Sequence, residues 1–308
     1  MSKQIFIGGC PRSGTTLLGA MLGSSPDILC VPESQFKTDL LKSNTLADPG
    51  KVISKIQKSP RFKLWQLELP ANFSGGSSKA GSEIFEGIVA QYGKLKSKTN
   101  YRSWVDHTPC NLINAPLILK EFPEARFIHI VRDGRGVAAS ILPLDWGPNT
   151  IKYSAAAWIG HLAYGFAVEA NYPKQAKRVK YEDLVEKPAE TLKELCEWLG
   201  IGFVEAMVSG SGFELPKYTK KQHSLVGKGV NSNRATAWQK SLSPAQIQEY
   251  EFRAGDMLKL LGYPLLFPEE AKLRKTLWNT LSREGKELFY SRVVNPMRNR
   301  KRLKTSIP

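Results

Sequence analysis

A short loop near the N terminus carries the residues with the most recognisable chemistry. Gly9 and Gly14 are separated by four residues, one of them Arg12, which is the spacing that opens a phosphate-binding loop. The backbone amides of such a loop bind an anion together with the N terminus of the helix that follows. Thr15 stands where an ATP- or GTP-binding loop carries lysine. We therefore predict a site for a phosphate-like group in which Arg12 supplies the positive charge.

Two further positions combine an ionisable side chain with the expected end of a strand. Glu33 follows the apolar run 28–31, and His107 follows a short run that includes Trp104 and Val105. Ligands of an open parallel sheet bind outside the carboxyl ends of its strands, so both side chains are expected beside the loop. Glu33 is suited to accept a proton as a general base. The alternative is that Glu33 only favours the N-terminal end of a helix through its charge.

Arg132 directly follows the apolar run 127–131, and Ser140 comes about two helical turns later. An arginine at such a strand end can bind a second phosphate group. A Walker B strand would end in an aspartate that organises Mg²⁺, but here Arg132 precedes Asp133. This order favours an anion over a metal ion. Asp133 and Arg135 are expected to form only a local ion pair in a turn.

Strand-like apolar runs alternate with amphipathic helical segments, which predicts an α/β fold, a P-loop-like parallel sheet flanked by helices. We expect one α/β domain over residues 1–265 and a basic C-terminal extension over 266–308, either helical or a tail. Strands are predicted at 4–8, 28–31, from 104, at 127–131 and, with a turn, at 179–184. The main helices are predicted at 17–24, 111–122, 150–170, 188–199 and 244–261.

The overall charge narrows the classes of partner. The 308 residues contain 44 Lys and Arg against 28 Asp and Glu, a net charge of +16, which suits an acidic peptide, an acidic glycan or glycolipid, a nucleotide, a nucleic acid or an acidic membrane face. No apolar run approaches the roughly 18 residues of a membrane span. The four cysteines are scattered without metal-binding spacing, which indicates buried thiols in a reducing compartment. The expected location is cytoplasmic, with peripheral membrane association as a further expectation.

The run Pro11–Leu17, Pro-Arg-Ser-Gly-Thr-Thr-Leu, resembles the phosphosulfate-binding loop of sulfotransferases that use 3′-phosphoadenosine 5′-phosphosulfate (PAPS). Its arginine resembles that of tyrosylprotein sulfotransferases and related bacterial enzymes. The resemblance extends over residues 4–262 as separate islands and implies the sulfotransferase fold. It also implies that PAPS is the donor and 3′,5′-ADP the product, with no metal required. The residues implied to bind the donor in the loop are Arg12, Ser13, Gly14, Thr15 and Thr16. Arg132 and Ser140 are implied at the 3′-phosphate, Tyr181 at the adenine, and Lys228 at the donor nucleotide.

The same resemblance implies that Arg12, Glu33 and His107 act in catalysis, with Glu33 as the base. His107 is a departure, because the related enzymes carry lysine there. A neutral His107 would donate one hydrogen bond and a protonated one would add charge. Alternatively His107 is the base and Glu33 orients it. The implied reaction moves a sulfuryl group to a hydroxyl of a peptide tyrosine, a carbohydrate or a lipid.

Two other functions remain as alternatives to this one. A P-loop kinase acting on a small hydroxyl substrate would require ATP and Mg²⁺, and the missing lysine after Gly14 argues against it. A basic protein that binds nucleic acid or membrane without turnover would show strongly salt-dependent binding. No interleaved aromatic and basic motif supports a nucleic-acid partner, so none is expected.

Overall fold

The computed structural model describes residues 3–42, 48–70, 73, 80–216, 233–267, 282 and 285–306. Its centre is a sheet of five parallel strands in the order β2-β3-β1-β4-β5. The strands are β1 (Lys3–Gly8), β2 (Ile28–Val31), β3 (Ser103–Asp106), β4 (Arg126–Val131) and β5 (Ala176–Lys180). A fully parallel sheet needs helices on both faces, which accounts for the near-continuous apolar character of β1, β2 and β4.

Helices connect every pair of successive strands. Those before β5 are α1 (Thr15–Gly23), α2 (Lys37–Leu41), α3 (Pro49–Lys58), α4 (Pro60–Lys63), α5 (Gly81–Leu95), α6 (Ala115–Glu121), α7 (Gly134–Ile141) and α8 (Ile151–Asn171). Those after β5 are α9 (Tyr181–Glu186), α10 (Pro188–Leu199), α11 (Asn233–Thr236), α12 (Trp238–Ser241), α13 (Pro244–Leu260) and α14 (Asn295–Ser306). Short 3₁₀ helices lie at Pro109–Asn111 and Glu205–Ser209, and a π-helical turn at Tyr290–Val294 precedes α14.

The two faces of the sheet carry two separate cores. On one face the aromatic rings of β1, β3 and β4 pack together: Phe6 lies 5.2 Å from Trp104 and 5.8 Å from Phe127, measured between ring centroids. On the other face Ile5 and Ile7 pack with the apolar residues of α1 and α10. Because successive side chains of a strand point to opposite faces, β1 contributes to both cores and fixes the position of the loop that follows it.

β1 is the central strand, with β3 on one side and β4 on the other. The carboxyl ends of the parallel strands meet at one edge of the sheet, so the residues that follow them converge there. Each strand is followed by at least one predicted site residue: Arg12 after β1, Glu33 after β2, His107 after β3, Arg132 after β4 and Tyr181 after β5.

The predicted α/β fold with a parallel sheet is confirmed. The boundaries of β2 and α10 match the prediction, and Gly200 ends α10 in the left-handed conformation at φ 63°. The strand and turn predicted at 179–184 are wrong for most of that range, because β5 ends at Lys180 and α9 begins at Tyr181. The division at residue 265 stays a prediction.

Of the four cysteines, all free, Cys10, Cys30 and Cys196 are buried, and Cys110 is half-buried. Burial raises the pKa of the Cys10 thiol to about 12 and that of Cys196 to about 11, because the charged thiolate is disfavoured away from water. These thiols are therefore packing groups. Within the described ranges, no helix has the length and apolar character needed to cross a membrane.

Candidate active site

The loop between β1 and α1 is held in an unusual backbone conformation. Gly9 has φ 153°, and a Cβ atom there would lie 2.3 Å from the backbone oxygen of Ile130. Gly14 has φ 105°, and a Cβ atom there would lie 2.6 Å from the ring of Tyr181. Arg12 also has a positive φ, 74°, which is uncommon for a residue with a side chain. The two glycines therefore let the loop pass close to β4 and α9 while it presents the side chain of Arg12.

Arg12 and Arg132 form a connected pair. The Arg12 Nε atom donates to Ser140 Oγ at 3.0 Å, and Arg132 Nη1 donates to the backbone oxygen of Arg12 at 2.9 Å. The guanidinium of Arg132 also lies over the ring of Tyr181, 4.3 Å from its centroid. Arg132 Nη2 reaches the backbone oxygen of Arg234 at 3.4 Å. The structure thus brings four of the predicted donor-site residues together, with Ser140 bonded to Arg12 and not to Arg132.

This pair concentrates positive charge in a partly buried place. Burial and the neighbouring Arg132 together lower the pKa of Arg12 to about 10, while Glu33 acts in the opposite direction. Ser13 Oγ and Arg132 Nε are buried and have no hydrogen-bond partner among the described residues. Such donors beside like charges are the features that a bound anion would stabilise.

The first turn of α1 faces the same place. Thr15 and Thr16, both buried, open the helix, and no side chain caps its N terminus. The first amides of a helix have no partner inside the helix. Together with the helix dipole they favour a negatively charged group. The predicted roles of Ser13, Gly14, Thr15 and Thr16 are compatible with this geometry.

Arg132 is held in place from behind by a buried network. Trp158 Nε1 donates to the backbone oxygen of Arg132 at 3.1 Å. The local ion pair of Asp133 and Arg135 is present at 2.7 Å, and Arg135 Nη1 also contacts Glu251 Oε1 on α13 at 2.5 Å. Arg135 is only 1% exposed. The ion pair expected from the sequence is therefore present, and Arg135 also links Asp133, which follows Arg132, to Glu251 on α13.

Glu33 occupies the opposite side of the edge, after β2. Its side chain is half-buried. Burial raises its pKa to about 7, while the positive charges of Arg61, Lys37 and Arg12 act against that rise. Trp65 Nε1 donates to the backbone oxygen of Glu33 at 3.2 Å, and this hydrogen bond helps to fix the backbone at Glu33. A carboxyl group with a pKa near 7 is suited to accept a proton at neutral pH.

A buried ion pair joins the Glu33 segment to the end of β3. Lys37 Nζ lies 3.0 Å from Asp106 Oδ2, and both side chains are fully buried. Asp106 also accepts from the hydroxyl of Ser34 and from the backbone amide of Thr108, and Thr108 Oγ1 accepts from the backbone amide of Ser34 at 2.8 Å. Although burial opposes it, Lys37 and the hydrogen bonds hold the pKa of Asp106 below its usual value. This network fixes Glu33 relative to His107.

We expect Lys37→Met to destabilise the protein by about 3–5 kcal/mol, because it leaves the Asp106 carboxylate buried without its counter-ion. The measurement is urea unfolding followed by circular dichroism. Lys42→Met is the matched control: Lys42 pairs with Asp39 at 3.3 Å but its side chain is 69% exposed, so its loss should cost less than about 1 kcal/mol. The double variant Lys37→Met/Asp106→Asn should recover part of the loss. Equal effects of the two lysine variants would contradict the assignment.

His107 lies deeper than its neighbours at the strand ends. Its ring is 2% exposed and packs edge-on against Phe213, with centroids 4.9 Å apart. A Cβ atom on Gly19 of α1 would lie 3.0 Å from it. Both ring nitrogens lack hydrogen-bond partners among the described residues. Burial lowers the pKa of His107 to about 4, so the ring is neutral at neutral pH.

Several site residues were missed by the sequence analysis. Lys37 and Asp106 are the main ones, since a single lysine in an amphipathic segment and an aspartate at a strand end give no signal that they pair. Glu182 is another: it accepts from the backbone amide of Asp133 at 3.0 Å and from Tyr263 Oη at 2.9 Å. Lys228, predicted to contact the donor, lies outside the described residues.

No metal-binding group emerges from the part of the chain that the structure describes. In those residues no three His, Cys, Asp or Glu side chains come close enough together to hold a metal ion. The expectation that no metal is required stays a prediction.

Comparisons with known proteins show the family of the chain. Residues 4–205 match the Sulfotransferase family. The chain is 27% identical over 273 residues to protein-tyrosine sulfotransferase 1 of Danio rerio, covering 84% of this chain and 72% of that protein. It is 24% identical over 278 residues to a protein-tyrosine sulfotransferase of Drosophila melanogaster, covering 84% of this chain and 51% of that protein.

A solved structure supports the fold. The sulfotransferase domain of the Synechococcus PCC 7002 olefin synthase superposes with a TM-score of 0.62 at 21% identity. The match covers 86% of this chain and 96% of that domain. At this level of identity the likeness concerns the fold alone.

Proposed function

The chain belongs to the sulfotransferase family, and from this premise we propose that it transfers a sulfuryl group from PAPS to the hydroxyl of a tyrosine in an acidic peptide. The relatives named protein-tyrosine sulfotransferases support the acceptor. The net charge of +16 supports an acidic partner. Glycan and glycolipid hydroxyls, which the sequence left open, have no comparable support among the relatives named above.

The observation that carries the donor assignment is the connected pair of Arg12 and Arg132. The Arg132 guanidinium bonds to the backbone oxygen of Arg12 at 2.9 Å, and two neighbouring arginines held in this way fit a ligand with more than one anionic group, as in PAPS and 3′,5′-ADP. The unpartnered donors Ser13 Oγ and Arg132 Nε fit the same ligand. We propose that the loop amides and Arg12 hold the phosphosulfate end, that Arg132 and Ser140 hold the other phosphate, and that Lys228 contacts the donor.

Besides the contact with adenine that the resemblance implies, Tyr181 is proposed to orient the side chain of Arg132. One face of its ring is covered by Arg132, and the residue is 7% exposed. A guanidinium over an aromatic ring is held by cation–π attraction. Tyr181 therefore orients Arg132, and contact with adenine stays a prediction.

When bound, PAPS supplies the sulfuryl group and leaves as 3′,5′-ADP. Glu33, with a pKa of about 7, accepts the proton of the tyrosine hydroxyl as that oxygen bonds to sulfur. Arg12 and the first amides of α1 stabilise the negative charge that develops as the bond to the leaving oxygen breaks. We assign the base to Glu33 because His107 is sealed between Gly19 and Phe213; its neutral ring then supports α1 beneath the loop.

The experiment is incubation of the purified chain with sulfur-labelled PAPS and a tyrosine peptide flanked by acidic residues. We expect label in this peptide and none in its phenylalanine counterpart. A neutral tyrosine peptide and a sulfate-free polysaccharide are tested in parallel, as is phosphate transfer from ATP with Mg²⁺. Label in the polysaccharide but not in the peptide would overturn the acceptor. Phosphate transfer with no use of PAPS would overturn the reaction in favour of the kinase.

A further inference from the structure

The C-terminal helical segment, defined as residues 285–306, docks on the protein through one polar side. Both carboxylate oxygens of Glu287 accept from the backbone amide of Asn149, at 3.3 and 3.1 Å. Asn295 Nδ2 donates to Asn149 Oδ1 at 2.9 Å, and Asn295 is 7% exposed. These contacts fix which side of the segment faces the protein and which side faces solvent.

The solvent side carries a line of large apolar side chains. Phe289, Val293 and Met297 are 56%, 44% and 67% exposed. Side chains four residues apart lie along one side of a helix. Asn295 is two residues from both Val293 and Met297, which places it roughly half a turn around the helix from each of them. We call Phe289, Val293 and Met297 the apolar stripe; it lies opposite the docked side.

Basic side chains surround the apolar stripe. Arg292, Arg298 and Arg300 are exposed, and residues 285–308 contain seven Lys and Arg against one acidic residue, Glu287. That carboxylate faces the protein, where it accepts from Asn149. The solvent side of the segment therefore presents apolar groups and positive charge together, with no acidic residue of its own.

This combination matches one kind of surface better than others. A helix with an apolar side and basic neighbours lies in the interface of a bilayer, where apolar side chains enter the boundary of headgroups and acyl chains and cations meet lipid phosphates. A nucleic acid would satisfy the arginines but would leave the stripe in water. We propose that the C-terminal helical segment docks the protein on membranes that contain anionic phospholipid. The proposal does not rest on the proposed function.

The experiment is flotation of the full chain with vesicles at physiological salt. Vesicles of phosphatidylcholine alone are compared with vesicles that contain about 30 mol% phosphatidylglycerol. We expect the anionic vesicles to bind the chain at least about tenfold more strongly. Phe289→Ser/Met297→Ser should weaken that binding at least about tenfold, and Arg292→Glu/Arg300→Glu should remove the preference for anionic lipid.

Tyr164→Ser/Leu260→Ser is the matched control, because these side chains are 50% and 69% exposed on α8 and α13. It should bind vesicles like the wild type. Thermal unfolding and 3′,5′-ADP binding of each variant verify that the fold is intact. The proposal is overturned if the wild-type chain does not bind anionic vesicles, or if Phe289→Ser/Met297→Ser binds them as strongly as the wild type does. It is also overturned if the wild type self-associates through the stripe, seen by light scattering, in place of binding lipid.

Discussion

Arg132→Ala is expected to weaken the binding of 3′,5′-ADP by about 100-fold, since a hydrogen bond to a charged group contributes about 1.5–3 kcal/mol. Arg132 lies against the backbone oxygen of Arg12 and over the ring of Tyr181, so its loss removes one charge and also loosens the loop. The measurement is titration calorimetry without added metal. Enthalpy and affinity should both fall, while the thermal unfolding of the free protein changes little.

Two controls separate this role from a general effect of charge. Arg102→Ala removes the same charge from an exposed side chain just before β3, 84% exposed, and should leave the affinity unchanged. Arg132→Lys keeps the charge but not the planar group that lies over Tyr181, and we expect an intermediate affinity. If Arg102→Ala and Arg132→Ala weaken binding equally, the nucleotide is held by overall charge and the proposed donor site is wrong.

Glu33→Gln should lower kcat by about 1,000-fold and leave 3′,5′-ADP affinity nearly unchanged, because removal of a general base costs about 10²–10⁴ in rate. Glutamine keeps the size and hydrogen-bonding shape of the side chain but cannot accept the proton. Glu214→Gln, at a carboxylate whose side chain is 79% exposed, is the control and should keep full activity. A Glu33→Gln variant with near-normal kcat would return the base role to another group.

The pH dependence of kcat/KM in the wild type also tests whether Glu33 is the base. The active form of Glu33 is the carboxylate, and burial raises its pKa to about 7. We therefore expect kcat/KM to fall about tenfold per pH unit below pH 7 and to level off above it. The low activity that remains in Glu33→Gln should lack this transition.

The raised pKa also predicts a change in stability of the opposite sense. The folded protein holds the Glu33 proton more tightly than the unfolded chain does, because the ordinary pKa of glutamate is 4.5 and the folded value is about 7. Its favourable contribution is complete below the unfolded pKa and is lost as the pH rises through about 7. Glu33→Gln should therefore be more stable than the wild type near pH 8.

The sequence was sufficient for the features that depend on strand order. Lys228 lies outside the described residues. Every other predicted site residue lies in the loop or the helix that directly follows a strand, so the parallel sheet brings these residues to one edge. The exception in element type was 179–184. There Tyr181, Leu184 and Val185 are buried, a helical spacing over too few residues to be distinguished from a strand and turn.

Contacts between distant segments could not be predicted in the same way. Lys37 and Asp106 pair across the sheet edge, and Arg135 meets Glu251 from 116 residues away. No periodic pattern encodes such a pair, because it depends on how α2 and α13 pack. The same holds for Ser140, which the resemblance grouped with Arg132 and which bonds to Arg12.

The sheet order β2-β3-β1-β4-β5 places the residues of the candidate site in two groups, one on each side of the loop after β1. The groups assigned to the donor follow β1, β4 and β5, while Glu33 and the Lys37–Asp106 network follow β2 and β3. A substitution in the segments after β2 therefore removes no hydrogen bond between the described residues assigned to the donor, and acts on Arg12 through the charge of Glu33. A chain built in this way can diversify the molecules it modifies, by natural drift or by laboratory selection in the segments after β2, while its sulfuryl source stays the same.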